Sequence, residues 1–223
     1  MSSSIKPLIL HAHGTGPNPY KVAIVLESLN LPYEVKLWQF GTDPKNGVKG
    51  TTFLAINENG RVPALEDPNT GVVSWESLAV INYILRVYDK QGKLGPGPSE
   101  QEHVDFDKWT ALLVSTVGPM MGQVNWFKHY HPTKNEDAIR RYEEETLKYY
   151  GVVEGQLKKS TSGFILPKGF TAVDAHFYPW IYQHDFAGLS LDKYPALAQW
   201  FEKVKSLPAV KNAYAAVQNG QKL

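Results

Sequence analysis

The sequence predicts an α/β domain followed by an all-α domain. Strand-like and helix-like patterns alternate over residues 5–90, whereas nearly every pattern beyond a Gly- and Pro-rich segment at 91–98 is helical. We therefore predict a first domain at 5–90, a linker at 91–98 and a helical bundle at 99–223. With 223 residues, 43% of them apolar, the chain has enough material for a buried core.

The first domain opens with a β-α-β unit. A short apolar run at Leu8–His11 predicts a strand, and the apolar segment Val22–Leu29 predicts a helix. Tyr33–Leu37 alternates apolar and polar residues, which is typical of a strand with one buried face.

A β-hairpin and a helix complete this domain. Ala64–Glu66 and Val72–Trp75 flank the segment Asp67–Gly71, whose residue types favour a turn. An amphipathic helical pattern then begins at Glu76-Ser77. The resulting order, β-α-β-β-β-α, is that of a thioredoxin-like domain.

Helix-start signals recur through the second domain. Two are capping boxes, in which a hydroxyl caps a helix while an acid three residues on reaches back to the backbone. Prolines suited to a first helical turn and an asparagine suited to cap a long helix supply further starts. The boxes are Ser99–Glu102 and Thr171–Asp174, the prolines are Pro195 and Pro208, and the asparagine is Asn135, before a helix predicted to run through Lys158.

Charge and composition exclude several classes of function. The net charge of +1 gives no electrostatic reason to expect a nucleic acid or a membrane surface as partner. No apolar run approaches membrane-spanning length, and Met1–Lys6 lacks the apolar core of a secretion signal, so we expect a cytoplasmic protein. The absence of cysteine excludes disulfides, thiolate metal sites and a catalytic protein thiol. Any sulfur chemistry must therefore come from a ligand.

The segment Gly60–Leu65 predicts a backbone edge that binds a ligand. A proline just ahead of a strand cannot donate to the sheet ladder, so Pro63 belongs at a strand start, often after a cis peptide bond. The backbone of Val62 is then left unpaired, and its N–H and C=O groups can bind an extended ligand.

The Glu76-Ser77 pair predicts a receptor for charged groups. Exposed amides at a helix start attract a carboxylate, and the Ser77 hydroxyl adds a donor. The Glu76 carboxylate can receive an ammonium group. Together with the Val62 backbone, these groups describe a receptor for a small zwitterionic peptide, and glutathione is the obvious candidate.

A second candidate region, Gly14–Val22, follows the first strand. Here Asn18-Pro19 predicts a helix N-cap followed by proline at the first helical position. A thiol bound at this positive helix end is biased toward the thiolate. A free thiol with a pKa near 8.5 is only about 3 per cent ionised at pH 7, and lowering that pKa by about two units makes the thiolate dominant.

In combination, these segments resemble the fungal glutathione S-transferases of the nitrogen-regulator-like branch, which includes regulators of nitrogen catabolite repression. The resemblance runs from about Leu8 to Val217, and its motifs are specific in combination. In the first domain it depends on Asn18 with Lys21–Glu27, on Arg61–Leu65 and on Trp75–Ser77. In the second it depends on Gly118–Gln123, Tyr149–Glu154, Thr171–Asp174 and Tyr178–Trp180.

The resemblance implies a thioredoxin-like domain that binds glutathione, a helical domain that shapes an electrophile pocket, and a homodimer. By motif, Asn18 would contact the cysteinyl part of glutathione and its sulfur. Val62, before a cis Pro63, would pair with the cysteinyl backbone. Glu76 and Ser77 would hold the γ-glutamyl end.

The implied site also contains two cationic residues, and it differs from other transferase classes at the position that contacts the sulfur. Arg61 would lie near the γ-glutamyl end, and Lys49 would neutralise the glycyl carboxylate. The Tyr or Cys of other transferase classes has no counterpart after the first strand. Thr15 stands one position from the hydroxyl of some relatives, with Gly16 in the matching place, so the choice between Asn18 and Thr15 as thiol activator stays open. Glutathione is expected as a cosubstrate, with no cofactor.

The electrophile needs an apolar wall, which we expect in the second domain. Aromatic and Met side chains adapt to varied apolar ligands, although at helical spacing they usually belong to a core. The predicted pocket residues are Met120, Asn125, Trp126 and Tyr130. We predict no metal site at His129-Tyr130-His131, because the two histidines lack a nearby acidic or Cys partner.

The predicted reaction is attack of the glutathione thiolate on a small apolar electrophile, in detoxification or in fungal secondary metabolism. One alternative is a glutathione-dependent peroxidase or thiol-disulfide enzyme that uses the same site. Another is a non-catalytic regulatory binding protein of the same fold. The expected partners are glutathione, the electrophile and a second copy of the chain.

Overall fold

The structure, a computed structural model, describes residues 5–220 and contains a four-stranded mixed sheet. Strand β1 (Leu8–Ala12) is parallel to β2 (Tyr33–Leu37) and antiparallel to β3 (Ala64–Asp67). Strand β4 (Val72–Trp75) pairs antiparallel with β3, which gives the order β2-β1-β3-β4. The predicted strands, the hairpin and the thioredoxin-like plan are confirmed.

Three helices accompany the sheet: α1 (Pro17–Ser28), the short α2 (Thr51–Leu54) and α3 (Ser77–Tyr88). Helix α1 supplies the crossover that two parallel strands require, and it packs on β1 and α3. Alternate side chains of β1 are fully buried, as expected for one face of a strand that is covered by helices.

The last helix, α9 (Pro208–Asn219), packs along α1. The ring of Tyr20 in α1 stacks on Tyr214 in α9, with ring centroids 4.3 Å apart. Because α1 is covered on more than one side, every residue in Val22–Leu26 is fully buried, not only one face of the helix.

The remaining helices are α4 (Glu100–Leu112), α5 (Gly118–Asn125), α6 (Glu136–Lys159), α7 (Ala172–Ile181) and α8 (Pro195–Ser206). A π-helical segment at Leu113–Val117 joins α4 to α5 without a break, and a second one at Trp126–Tyr130 follows α5. Such π turns are rare and frequently stand at functional sites. None of the helices within residues 5–220 is long and apolar enough to cross a membrane.

Both predicted capping boxes form, at Ser99 and at Thr171. Asp174 also accepts hydrogen bonds from the Ile165 amide at 3.0 Å and the Trp200 indole at 2.8 Å, besides the Thr171 amide at 3.0 Å. Burial raises the pKa of Asp174 to about 6, so the carboxylate is mostly ionised at pH 7, as its three donors require. The structure also confirms the predicted helix starts at Asn135, Pro195 and Pro208.

The chain forms two compact units. The first joins the described residues up to Lys93 with those from Leu207 onward, and the second spans Leu94–Ser206. The boundary lies within the predicted linker at 91–98. The predicted second domain, 99–223, includes α9, whereas α9 packs on α1 and clusters with the first unit. A helical pattern alone does not reveal which unit a terminal helix joins.

Candidate functional site

Three chain segments leave the sheet at the same end. His11 pairs with Ala64 across β1 and β3, and Ala64 pairs with Trp75 across β3 and β4. Because both pairings are antiparallel, the end of β1, the start of β3 and the end of β4 lie side by side. The loop before α1, the Val62-Pro63 segment and the start of α3 are therefore neighbours, as the predicted site requires.

The Val62-Pro63 peptide bond is cis, as the sequence predicted. Asn57 braces this segment, since its Nδ2 donates to the Arg61 carbonyl at 2.6 Å and its Oδ1 accepts from the Asn59 amide at 2.9 Å. Within residues 5–220, neither the N–H nor the C=O of Val62 has a hydrogen-bond partner. The segment thus presents an unpaired donor and an unpaired acceptor just before β3.

The start of α3 is strained at Glu76, its N-cap residue. Glu76 has a φ of 68°, in the left-handed region, which costs a non-glycine residue about 1–2 kcal/mol. Its side chain is exposed and makes no capping hydrogen bond to its own helix. Strain of this kind is concentrated at ligand-binding sites. Ser77, the first helical residue, is in contrast only 5% exposed.

A buried lysine that the sequence pattern does not single out lies against this helix start. Lys21 is 1% exposed, and its Nζ is 3.4 Å from the Ser77 hydroxyl. Burial lowers the pKa of Lys21 from 10.5 to about 7, while the charge of Glu76 opposes that shift. The ammonium form of Lys21, the Ser77 hydroxyl and the first amides of α3 all favour an anion at this corner.

The loop after β1 places Asn18 two positions further into α1 than predicted. The helix begins at Pro17, with Gly16 in an extended conformation as its N-cap, so the predicted N-cap role of Asn18 is wrong. Pro17 and Pro19 both suit a first helical turn, and the helix starts at the earlier of the two. Asn18 still lies in the first turn, at the positive end of the helix, and is half-buried.

Tyr20 anchors the same loop from inside the fold. Its hydroxyl donates to the Gly14 carbonyl at 2.5 Å, and its ring rests on Tyr214 of α9. Sequence reasoning misses this residue because its ring partner, Tyr214, comes from a distant part of the chain. The exposed Thr15 lies in this loop and is hydrogen-bonded to His13.

Lys49 and Arg61 both reach the loop before Pro63. The Lys49 ammonium donates to the Asn59 carbonyl at 2.7 Å. Its side chain crosses Gly60, where a Cβ atom would come within 2.8 Å of the Lys49 Cδ atom. Arg61 is exposed on the same loop. The structure therefore gathers two cations beside the unpaired backbone, which favours an anionic ligand.

A polar network inside an aromatic cluster supports Val62 from behind. The Trp38 indole donates to His11 Nδ1 at 2.9 Å, so His11 Nε2–H donates to the Glu66 carboxylate at 2.7 Å. Burial lowers the pKa of His11 although Glu66 opposes this, and the ring is neutral at pH 7. Val62 packs with Trp38 against the cluster that contains Phe53, so the side chain of Val62 is held by packed aromatic residues.

The four residues predicted to line an electrophile pocket have different environments. Met120 is half-buried. Asn125 is buried, and its Nδ2 donates to Gln183 Oε1 at 2.9 Å, whereas its Oδ1 is buried with no hydrogen-bond partner among the described residues. Trp126 and Tyr130 are 47% and 60% exposed, and their stacked rings have centroids 6.3 Å apart. They form an exposed aromatic pair on the second π-helical segment.

Comparison with known proteins shows the family to which this chain belongs. The model of the glutathione S-transferase N-terminal domain matches residues 6–86, and a model of the C-terminal domain matches residues 121–216. The glutathione S-transferase-like protein tpcF of Aspergillus fumigatus is 32% identical to this chain, over 96% of this chain and 97% of its own length. The chain therefore belongs to the glutathione S-transferase family.

Solved structures show which branch of the glutathione S-transferase family this chain resembles. The glutathione transferase URE2P6 of Phanerochaete chrysosporium, in complex with oxidized glutathione, is 34% identical over 99% of this chain and all of that chain, with a TM-score of 0.86. A glutathione transferase homolog of Lodderomyces elongisporus, with two glutathione molecules per subunit, is 30% identical over 95% of this chain and 99% of its own, also at 0.86. Proteins named URE2 are among the relatives. The predicted nitrogen-regulator-like branch is confirmed.

Proposed function

We propose that this chain is a glutathione transferase in which the glutathione thiolate attacks a small apolar electrophile. One observation carries the proposal: the unpaired backbone of Val62 and the strained start of α3 at Glu76 leave the sheet at the same end. A γ-glutamyl tripeptide can pair its extended backbone with Val62 and place its zwitterionic end at Glu76. The complex of URE2P6 with oxidized glutathione supports this ligand.

The γ-glutamyl end fits the corner formed by α1 and α3. The Glu76 carboxylate receives the ammonium group of the ligand, while the Ser77 hydroxyl and the α3 amides receive its carboxylate. Lys21 adds positive charge behind Ser77 without contacting solvent. Val62 pairs with the cysteinyl backbone, as a strand would.

The remaining groups of glutathione fit the loops at either side. The ammonium of Lys49 receives the glycyl carboxylate, and the guanidinium of Arg61 lies near the γ-glutamyl end. Asn18, in the first turn of α1, donates an amide hydrogen bond to the sulfur and so favours the thiolate. No cofactor is required, because the ligand supplies the nucleophile.

The chemical step is attack of the thiolate on an electrophilic carbon. A C–S bond forms, and the leaving group departs with the electron pair of the bond that breaks, or a proton adds where the electrophile is an activated alkene. The protein contributes orientation and ionisation. We propose the exposed pair Trp126 and Tyr130 as apolar surface for the electrophile. A homodimer is a separate proposal, which light scattering in solution tests.

Steady-state kinetics with a chromogenic electrophile test the assignment of roles. Glu76→Ala should raise the KM for glutathione about tenfold or more, because a charged hydrogen bond contributes about 1.5–3 kcal/mol. Asn18→Ala should lower kcat more than it raises that KM. Glu144→Ala removes an exposed carboxylate from α6 and serves as the matched control. Unchanged kcat in Asn18→Ala would remove Asn18 from the chemistry.

Assays on the same purified protein distinguish the transferase from the two alternative functions. Glutathione binding with peroxide reduction and no conjugation would indicate a glutathione-dependent peroxidase. Binding without turnover on any electrophile or peroxide would indicate a regulatory binding protein. Conjugation that depends on Asn18 supports the transferase.

A further inference from the structure

Strand β2 stands at one end of the strand order β2-β1-β3-β4, so it forms an edge of the sheet. In its pairing with β1, the Leu8 amide donates to the Pro32 carbonyl, and the Trp38 amide donates to the Ala12 carbonyl, both at 2.9 Å. The backbone groups of successive residues point to opposite sides of a strand. The even-numbered residues of β2 therefore turn toward β1, and the odd-numbered residues turn outward.

Two outward-facing residues, Val35 and Leu37, form a free edge of β2. Across the described residues, 5–220, neither the N–H nor the C=O of either residue has a hydrogen-bond partner. The next outward residue, Gln39, is paired in a parallel bridge. Its amide donates to the Asn46 carbonyl at 2.8 Å, and its carbonyl accepts from the Val48 amide at 2.9 Å. The edge thus pairs with a short parallel segment at one position and leaves the two positions before it unpaired.

A groove of about 420 Å³ lies along this free edge. It is lined by Val35 and Leu37 and by the end of α9 at Asn219 and Gly220. The Leu37 side chain is 46% exposed and supplies apolar surface. Gly220 lies against it, since a Cβ atom at Gly220 would come within 3.1 Å of Leu37 Cδ1. One side of the groove is therefore apolar and is bounded by α9.

Two lysines, Lys36 and Lys45, also line the groove. The Lys36 side chain is 51% exposed, and its Nζ lies 4.0 Å from Glu66, at the limit of an ion pair. Lys45 is exposed and makes no ion pair within residues 5–220. Asp43 fixes the turn that presents Lys45, because its Oδ1 accepts from the amides of Lys45 at 3.0 Å and Asn46 at 2.7 Å. The charge of the groove favours an acidic ligand.

We propose that the free edge of β2 binds an extended peptide segment of a partner protein, in which apolar and acidic residues alternate. The backbone of this segment pairs with Val35 and Leu37, in line with the bridge at Gln39. Successive side chains of a strand point to opposite faces of the sheet. The apolar residues of the peptide then lie on the face of Leu37, and its acidic residues lie on the face of Lys36.

The lysines distinguish between possible occupants. A second copy of this chain would bring its own Lys36 and Lys45 to the same edge, and like charges oppose such pairing. An acidic peptide gains backbone hydrogen bonds and charge attraction together. The inference does not rest on the proposed glutathione site, which uses the backbone of Val62 and the start of α3.

Fluorescence anisotropy with a labelled peptide of about six residues, in which valine and glutamate alternate, measures the binding. The same peptide with every backbone amide N-methylated keeps its side chains and loses its donors. Leu37→Pro removes one outward N–H and leaves the pairing with β1 intact. Lys36→Glu combined with Lys45→Glu reverses the charge of the groove. The matched control combines Lys193→Glu with Lys211→Glu, at two exposed lysines that do not line the groove.

We expect saturable binding by the wild-type protein and none of the N-methylated peptide. Affinity should fall about tenfold in the double variant of Lys36 and Lys45, and about fivefold in Leu37→Pro. The control variant should bind as the wild type does. Circular dichroism checks that each variant is folded, and the N-methylated peptide tests the backbone pairing without any change to the protein.

No saturable binding by the wild-type protein, or equal affinity for the N-methylated peptide, overturns the proposal. Two other results would overturn it by assigning the edge to another occupant. Binding that appears only after removal of residues 221–223 would make the end of this chain the occupant. Self-association that is lost in Leu37→Pro, without peptide binding, would make the occupant a second copy.

Discussion

Replacing Lys21 by methionine is expected to remove a pH-dependent cost to stability and to weaken glutathione binding. Lys21 is 1% exposed, and burial lowers its pKa from 10.5 to about 7. Each pKa unit corresponds to about 1.4 kcal/mol, so holding this lysine costs the folded state on the order of 4 kcal/mol at pH 7. Methionine has a similar length and carries no charge.

The sign of the pH effect follows from proton binding. Between pH 7 and pH 10.5 the unfolded chain binds more protons at Lys21 than the folded chain does, so the free energy of unfolding rises with pH. From pH 7 to pH 9 the rise from this one group is about 2 kcal/mol. The range stays below the ordinary tyrosine pKa of about 10, so the phenols remain protonated in both states.

Urea unfolding at pH 7, 8 and 9 measures this effect. The difference in unfolding free energy between wild type and Lys21→Met should change by about 2 kcal/mol over that range. Lys108→Met is the control, because the Lys108 side chain is 56% exposed, and it should follow the wild type. Calorimetry at pH 7 should show glutathione binding about tenfold weaker in Lys21→Met. Parallel pH profiles for wild type and Lys21→Met would refute the burial of a lysine with a lowered pKa.

Two further substitutions test hydrogen bonds that stabilise the helical unit and the loop of the candidate site. Asp174→Ala should lower the free energy of unfolding by at least about 3 kcal/mol, because the N–H groups of Ile165, Thr171 and Trp200 lose their acceptor. Urea denaturation measures this free energy. A decrease of less than about 1 kcal/mol would contradict the buried hydrogen bonds of the Thr171–Asp174 capping box. Tyr20→Phe removes the hydroxyl that holds the Gly14 carbonyl and should cost about 1 kcal/mol of stability. It should also lower kcat at unchanged glutathione affinity, and wild-type turnover in that variant would argue against a role for this anchor.

Much of the fold could be predicted from the sequence because its signals are local. The strand at Tyr33–Leu37 has the predicted bounds, since the alternation of apolar and polar residues matches the period of a strand. The capping boxes at Ser99 and Thr171 form because each needs only four consecutive residues. The cis bond before Pro63 follows from the place of proline at a strand start.

The features that could not be predicted depend on contacts between distant residues. Helix α9 joins the first unit because it packs on α1, and its own sequence does not identify that partner. Lys21 has the appearance of a surface lysine, yet the fold buries it against Ser77, far along the chain. The left-handed backbone of Glu76 gave no signal either, because residues other than glycine rarely adopt it.

Some features of the candidate site could be predicted from the sequence, and others could not. Val62, Glu76 and Ser77 come together as predicted, because the β3–β4 hairpin joins their segments directly. Asn18 lies two positions further into α1 than predicted because two prolines compete for the first turn. Asn125 is buried, and its pocket role stays a prediction, since periodicity cannot tell an inward-facing side chain from one that lines a cleft.

Calorimetric titration with glutathione tests the central claim most directly. We predict saturable binding by the wild-type chain that becomes about tenfold or more weaker in both Glu76→Ala and Ser77→Ala, while Glu144→Ala binds as the wild type does. No saturable binding by the wild-type chain, or one affinity shared by all four proteins, would contradict a glutathione site at the start of α3.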